Sequence, residues 1–512
     1  MRKLRNLVVG SISLLLVGCS SNPPLNDDAL ISLELVAEHN RFYTEHSFDE
    51  LPDPRYDFLM NDEDELSEEM IQNLRITNSN TDSSFTKKQL IEDVEVFHLA
   101  MKYMYALYEY MGGDKAFQDA RDGLIDHLRE LEDGVQLSSI QFSNLLRSHY
   151  DFISDTHLQI NHSPMESNDY SFFVSEHFRF NKDTSGEFWL IGREAVKLAS
   201  INGDEEVSSY LKPSLNDNGE IVYIPGAFSS YLTDSERVWE IVFQEGDGAQ
   251  IETIRLRPEA KALPNFRLGD RLSLSEKEGV PWFQLRTMFA FEGAPVDYYD
   301  IIDSAKHLSR EPYFVLDVRG NEGGSVILVE KWLEEFFGEP ISWSSQSNHL
   351  FSKTNLALVT DTIDYLKEQG VASQTFEDDF TDLFRVEKFD SLEEPYWEVE
   401  EKPFKTVKDN DTHIFILIDN NTASAAEHLV AQLKQANNTT VIGMNTKGAI
   451  ISGNALIWQL PHTNVAMSVP TYFNYNPDLL EKEAVGIQPD IWVHPEKAEQ
   501  RILTFIKENT KR

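Results

Sequence analysis

Between residues 87 and 157 apolar side chains recur every three or four positions. Leu90, Val94, Phe97, Met101 and Met104 form one stripe, and Leu124, Leu128 and Leu131 form another. That period predicts helices with one buried face. Gly112-Gly113 separates the stripes, so at least two helices are expected. Tyr103, Tyr105, Tyr108 and Tyr110 crowd the end of the first stripe and read as core. Over residues 170–260 the period shortens. Phe188-Trp189-Leu190-Ile191 and the run 238–243 predict strands, and Asn202-Gly203 and Gly246-Asp247-Gly248 predict turns. From residue 270 onward strand and helix patterns alternate. Residues 314–318 and 414–418 are short apolar runs, each followed by a helical pattern, Val326–Phe337 and Ala425–Leu433. This alternation predicts an α/β fold. Residues 341–408 interrupt it with a polar, Ser- and acid-rich stretch, read as an insertion with some helix over 360–366.

Composition narrows the partners. The 512 residues are 41% hydrophobic and 11% aromatic, ample for the cores of two or three domains. Against 45 basic side chains stand 86 acidic ones, a formal net charge of −41. Such a surface repels nucleic acid, which is excluded as the main partner. It also repels anionic lipid headgroups, so membrane contact would need something other than a basic patch. Cys19 is the one cysteine, which excludes an intrachain disulfide and a thiolate metal cluster.

The position of Cys19 is informative. Arg2, Lys3 and Arg5 precede a mostly apolar run over 7–17, too short to span a bilayer as a mature helix. Residues 1–18 read as an export signal. Leu16-Val17-Gly18-Cys19 resembles the bacterial lipobox, which implies cleavage before Cys19 and a lipid anchor on it. Ser20, Ser21, Asn22 and Pro23 suit a flexible tether. Ser20 rather than Asp after the cysteine favours the outer membrane, with the chain facing the periplasm. The alternative is an ordinary secretory signal with an incidental cysteine.

Two segments could carry chemistry. In the first, an apolar strand runs into Asn420-Asn421-Thr422 and a helix begins after Ser424. A serine there meets the unpaired N–H groups of a helix N-terminus, donors suited to an oxyanion. The same letters, Ser424-Ala425-Ala426-Glu427, also spell an S-x-x-E capping box that needs no catalysis. The second segment, residues 317–324, places glycines at the end of a strand, which serves a plain turn equally well. Neither it nor residues 443–448 has the spacing of a nucleotide loop.

Together the segments resemble peptidase family S41, the C-terminal-processing and tricorn-like serine peptidases. The signature D-x-R-x-N-x-G-G is met by Asp317, Arg319, Asn321, Gly323 and Gly324. The signature T/S-A-S-A-x-E is met by Thr422 through Glu427, and G-x-x-T-x-G by Gly443, Thr446 and Gly448. E-x-x-G-x-x-P-D is met by Glu483, Gly486, Pro489 and Asp490, and D-x-H by Asp155-Thr156-His157. The resemblance covers residues 87–495. One branch of the family has a lysine 25 positions after the serine; here that position is Ala449, and Lys447 comes two residues early. The tricorn-like branch implies Ser424 as nucleophile, His157 as base, and Thr156 with Glu483 to orient the histidine. It implies an oxyanion hole from the N–H groups of Ala425 and Gly323 or Gly324, with no metal or organic cofactor. His149 and His162 lack the D-x-H context and read as surface or structural histidines.

The expected organisation is a signal over 1–18, a tether over 19–85 and a helical domain over 86–165. A β-rich, degenerate PDZ-like module over 166–265 follows, suggested by Ile201-Asn202-Gly203 with Val207 and Leu211. A ClpP/crotonase-like α/β catalytic domain over 266–512 carries the insertion. The expected function is an envelope serine peptidase acting on peptides or unfolded protein segments, in an oligomeric state the sequence leaves open. A catalytically idle binding lipoprotein on the same scaffold is one alternative, and an esterase is another, although no G-x-S-x-G elbow occurs.

Overall fold

A computed structural model describes residues 22–37, 66–76, 84–231, 237–264, 272–288, 298–341, 345–370, 374–384, 394–402 and 408–510. The export signal and Cys19 lie outside the described residues.

The first helical stripe becomes the helix Lys87–Met104, with Leu90, Val94, Phe97, Met101 and Met104 fully buried. Gly112 and Gly113 adopt positive φ, 106° and 58°, and the next helix, Gly113–Glu130, starts there. A third helix, Ser139–His149, is opened by a Ser138/Gln141 capping box. Tyr103, Tyr105 and Tyr108 are buried as expected, whereas Tyr110 is 43% exposed and rests on Phe473 with ring centroids 5.0 Å apart.

Residues 170–258 form a nine-stranded antiparallel sheet around Phe173, Phe180, Leu198, Ile241 and Phe243. The chain reverses at the turns read from Asn202-Gly203 and Gly246-Asp247. Between the strands Val196–Ile201 and Leu211–Leu215 lies a short 3-10 helix, Val207–Tyr210.

The remaining chain builds two six-stranded sheets. The first runs Leu272–Lys277, Val280–Leu285, Tyr313–Asp317, His413–Ile418, Thr439–Gly443, Ile491–Trp492, parallel after the first pair. Its central strands are covered on both faces, which is why they read as unbroken apolar runs. The second sheet is antiparallel and centres on Ala466–Tyr475. It recruits the short strand Gln159–Ile160, which directly follows His157. It also recruits Ser345–Phe351 and Tyr396–Lys402 from the stretch read as an insertion. That stretch therefore holds more than some helix: its helix runs over Lys353–Glu368, a second over Gln374–Leu383, and two strands extend the sheet. The strand S-Q-S-N-H-L-F is polar, so it showed no hydrophobic alternation, yet Asn348 is fully buried and donates to Gln346 O.

Candidate active site

Strands Tyr313–Asp317 and His413–Ile418 are parallel neighbours, so the loops leaving their C-terminal ends lie side by side. The first is braced from beneath. Asp317 is fully buried and bridges Arg319 and Arg286, both at 2.7 Å. Burial alone would raise its pKa, but the two guanidinium groups overcome that and hold it at about 2. Arg319 reaches on to Pro495 O at 2.6 Å. Asn321 donates to Leu285 O at 2.9 Å and accepts the Gly323 N–H at 2.9 Å. The first signature is thus a scaffold that presents Gly323 and Gly324.

Gly323 must be glycine. Its φ is 100°, and a Cβ there would lie 2.7 Å from Ser424 Cβ. The Ala423 N–H donates to Asn321 O at 2.8 Å, which locks the two loops together.

Ser424 itself is strained. Its φ of 54° and ψ of −123° lie outside the regions a side chain favours, a cost of order 1–3 kcal/mol that the surroundings must offset. Its N–H donates to Ala449 O at 3.0 Å and to Glu427 Oε2 at 3.1 Å. Buried Glu427 also accepts from Thr446 Oγ1 at 2.5 Å and from the N–H groups of Gly448 and Ala449, each at 2.8 Å. Burial pushes the Glu427 carboxyl up, against these hydrogen bonds. The capping and nucleophile readings of S-x-x-E therefore coexist. The carboxylate secures the helix start and the loop behind it, while the Ser424 hydroxyl faces a histidine. This also explains the spacing of the second signature, since Thr446 and Gly448 are the partners of Glu427.

His157 arrives from the helical part of the chain. Its Nε2 lies 3.1 Å from Ser424 Oγ. Its Nδ1 lies 3.2 Å from Ser452 Oγ, a residue the sequence reading did not single out. Asp155 Oδ1 accepts the Ser452 hydroxyl at 2.8 Å and the His157 N–H at 2.8 Å, and its Oδ2 accepts Tyr105 OH at 2.9 Å. Thr156 and Glu483 meet as the resemblance implied, but among the described residues neither is hydrogen-bonded to the His157 ring. Glu483 Oε1 accepts the Thr156 hydroxyl at 2.7 Å and its N–H at 2.9 Å. Oε2 accepts the N–H groups of Ile450 and Ile451 at 3.1 and 3.2 Å. Burial, then the charge of Asp155, pushes the Glu483 carboxyl up. Burial pushes His157 down; Asp155 opposes that and Lys447 adds to it. His428, behind the nucleophile, is held at about 4 by burial and then by the charge of His157.

The N–H groups point to an anion site. The Gly323 N–H is already donated to Asn321. Among the described residues, those of Ala425 and Gly324 have no protein acceptor; Ala425 directly follows Ser424, and Gly324 follows Gly323, where a Cβ would lie 2.7 Å from Ser424 Cβ. Of the two glycines named for an oxyanion hole, Gly324 has the available donor.

Other candidates lie elsewhere. Lys447 is exposed and contributes its backbone N–H to Thr422 O; no hydrogen bond joins its amine to Ser424 among the described residues. His149 pairs with His127 at 3.3 Å, and His162 is exposed in a turn with φ 61°. Among the described residues no group of three or more His, Cys, Asp or Glu could hold a metal ion.

No curated protein sequence matches the chain. Among solved structures it is similar to mature CPAF, at 13% identity and a TM-score of 0.39 over 82% of this chain and 95% of that one. It is also similar to the photosystem II D1 C-terminal processing protease, at 13% identity and a TM-score of 0.34 over 83% and 97%. For the tricorn protease the values are 10% and 0.34 over 82% of this chain and 35% of that one. Residues 287–493, which carry Ser424, both glycine-rich signatures and Glu483, match the model for "Peptidase family S41". Over that segment, about two fifths of the chain, the protein is similar to peptidase family S41, the serine peptidases.

Proposed function

We propose that this S41 serine peptidase cleaves peptides or unfolded protein segments with Ser424 as nucleophile and His157 as its base. The observation that carries the reading is the 3.1 Å contact between Ser424 Oγ and His157 Nε2 beside two uncommitted backbone N–H groups. Neutral His157 takes the hydroxyl proton as Oγ attacks the peptide carbonyl. The carbonyl oxygen gains the negative charge, and the N–H groups of Ala425 and Gly324 receive it; one such donor is worth roughly 10²–10³ in rate. His157, now protonated, gives its proton to the leaving amine. Water then attacks the acyl-enzyme with His157 again as base, and Ser424 is regenerated. Thr156 and Glu483 fix the loop that carries His157.

The site of action we propose is the cell envelope, with the chain anchored through a lipid on Cys19 at the outer membrane. The lipobox-like Leu16-Val17-Gly18-Cys19 supports this. A mixed peptide library incubated with the wild type and with Ser424→Ala tests the chemistry. Cleavage by the wild type and a loss of at least about 10³-fold in the variant are expected. Equal cleavage by both would remove Ser424 from the mechanism, and ester turnover with no peptide turnover would favour the esterase.

A further inference from the structure

A base that accepts the Ser424 proton at Nε2 keeps its own ring proton on Nδ1. That proton needs an acceptor, and the group at hydrogen-bond distance is Ser452 Oγ, 3.2 Å away. A hydroxyl that accepts one hydrogen bond can donate its own proton onward. Ser452 does so to Asp155 Oδ1 at 2.8 Å. Asp155 accepts in addition from Tyr105 OH at 2.9 Å and from the N–H groups of His157 and Leu158 at 2.8 and 3.3 Å. Four donors therefore converge on the Asp155 side chain. Asp155, Ser452 and Tyr105 are all buried. Glu483, by contrast, spends both oxygens on Thr156 and on the N–H groups of Ile450 and Ile451.

We infer that Ser452 and Asp155 are the positioning residues of His157: the Ser452 hydroxyl holds the Nδ1–H, and the Asp155 carboxylate behind it stabilises the imidazolium that forms during catalysis. The role that Glu483 and Thr156 share is then to hold the loop backbone. The inference rests on Ser424 and His157 acting as proposed above. The charged and titratable groups around the ring are Asp155, Lys447 and His428, with Tyr105 and Glu483 beyond Asp155. Asp155 favours the charged ring, Lys447 opposes it, and His428 stays neutral near pH 7. Removing the Asp155 charge therefore lowers the pKa of His157.

The test is the pH dependence of kcat and kcat/KM on one cleaved peptide. It uses the full chain and the variants Asp155→Asn, Ser452→Ala, Ser452→Thr, Glu483→Gln and Ser424→Ala, each with a thermal melt. Asp155→Asn should lower kcat by roughly 10²–10⁴ and move the acid limb of kcat/KM to lower pH. Ser452→Ala should lower kcat by about 10–10²-fold, and Ser452→Thr, which keeps the hydroxyl, should recover most of that. Glu483→Gln should lower the melting temperature without moving the acid limb. Wild-type kcat and pH profile in both Asp155→Asn and Ser452→Ala would overturn the inference, as would an acid limb that moves in Glu483→Gln and not in Asp155→Asn. Should Asp155→Asn not fold, the Ser452→Ala and Ser452→Thr pair decides alone: loss with recovery supports the inference, and equal activity overturns it. Full activity in Ser424→Ala would overturn the underlying active-site reading, a result separate from these.

Discussion

Ser424 illustrates how one residue can satisfy a structural rule and a chemical role together. Its backbone is capped by Glu427 while its hydroxyl is left to His157 at 3.1 Å. The positive φ that permits this costs energy, and the loop contacts of Asn321, Ala423 and Ala449 hold it. Lys447, two positions short of the lysine that one branch of family S41 carries after its serine, has a different influence here. Its charge lowers the pKa of His157, which burial already depresses below the usual 6.5. In the proposed mechanism the base must be neutral, so activity should fall as pH drops through that pKa, with the acid limb below pH 6.5. Lys447→Ala removes a positive charge, raises the pKa and moves the limb to higher pH, with kcat on the plateau within about twofold. A pH–rate profile of this variant checks both statements; a plateau loss of 10³-fold would instead make Lys447 the base.

At the scale of elements, the helix Ala425–Leu433 and the loop over 443–449 depend on one carboxylate. Four donors converge on buried Glu427. Glu427→Gln turns an acceptor oxygen into an NH₂ that faces donors, which should cost about 1–3 kcal/mol of stability, read from thermal or denaturant melts. The same comparison shows what the chain made legible. Central strands such as Tyr313–Asp317 are buried on both faces, and the amphipathic helices have one apolar stripe, so periodicity found them. Four spaced signatures likewise singled out Ser424, His157, Thr156 and Glu483, which the fold brings into contact as Ser424 with His157 and Thr156 with Glu483. Ser345–Phe351 was hidden because Ser345, Gln346, Ser347 and Asn348 are buried yet polar, so the strand shows no apolar alternation. Ser452 was hidden for another reason: it stands in I-I-S-G-N, outside every signature, and meets His157 across 295 positions of chain. The donor choice between Gly323 and Gly324 was equally out of reach, since it turns on where Asn321 Oδ1 points.

The whole molecule brings distant segments to one point. The helical part supplies His157 and Tyr105, and the antiparallel sheet receives them: Ile160 pairs with Met467, and the Ala106 N–H donates to Pro470 O at 3.0 Å. That sheet also supplies Ser452, while loops of the parallel sheet supply Ser424 and the N–H groups of Ala425 and Gly324. The assembly carries a formal net charge of −41, and like charges oppose compaction. Raising ionic strength from about 0.01 M to 0.15 M shortens the Debye length from about 30 Å to about 8 Å and should stabilise the fold. Calorimetry should show Tm rising by roughly 1 °C for each kcal/mol of repulsion screened, and an unchanged or falling Tm would show that surface ion pairs outweigh the repulsion.

The central claim is that Ser424 is a nucleophile activated by His157. The most direct measurement is covalent labelling of the folded chain with a fluorophosphonate, with the adduct mapped by mass spectrometry, in the wild type and in His157→Ala. The account predicts a single adduct on Ser424 whose rate of formation falls by at least about 10²-fold without His157. No adduct in a chain shown to be folded, or an adduct that forms as fast without His157, would contradict it.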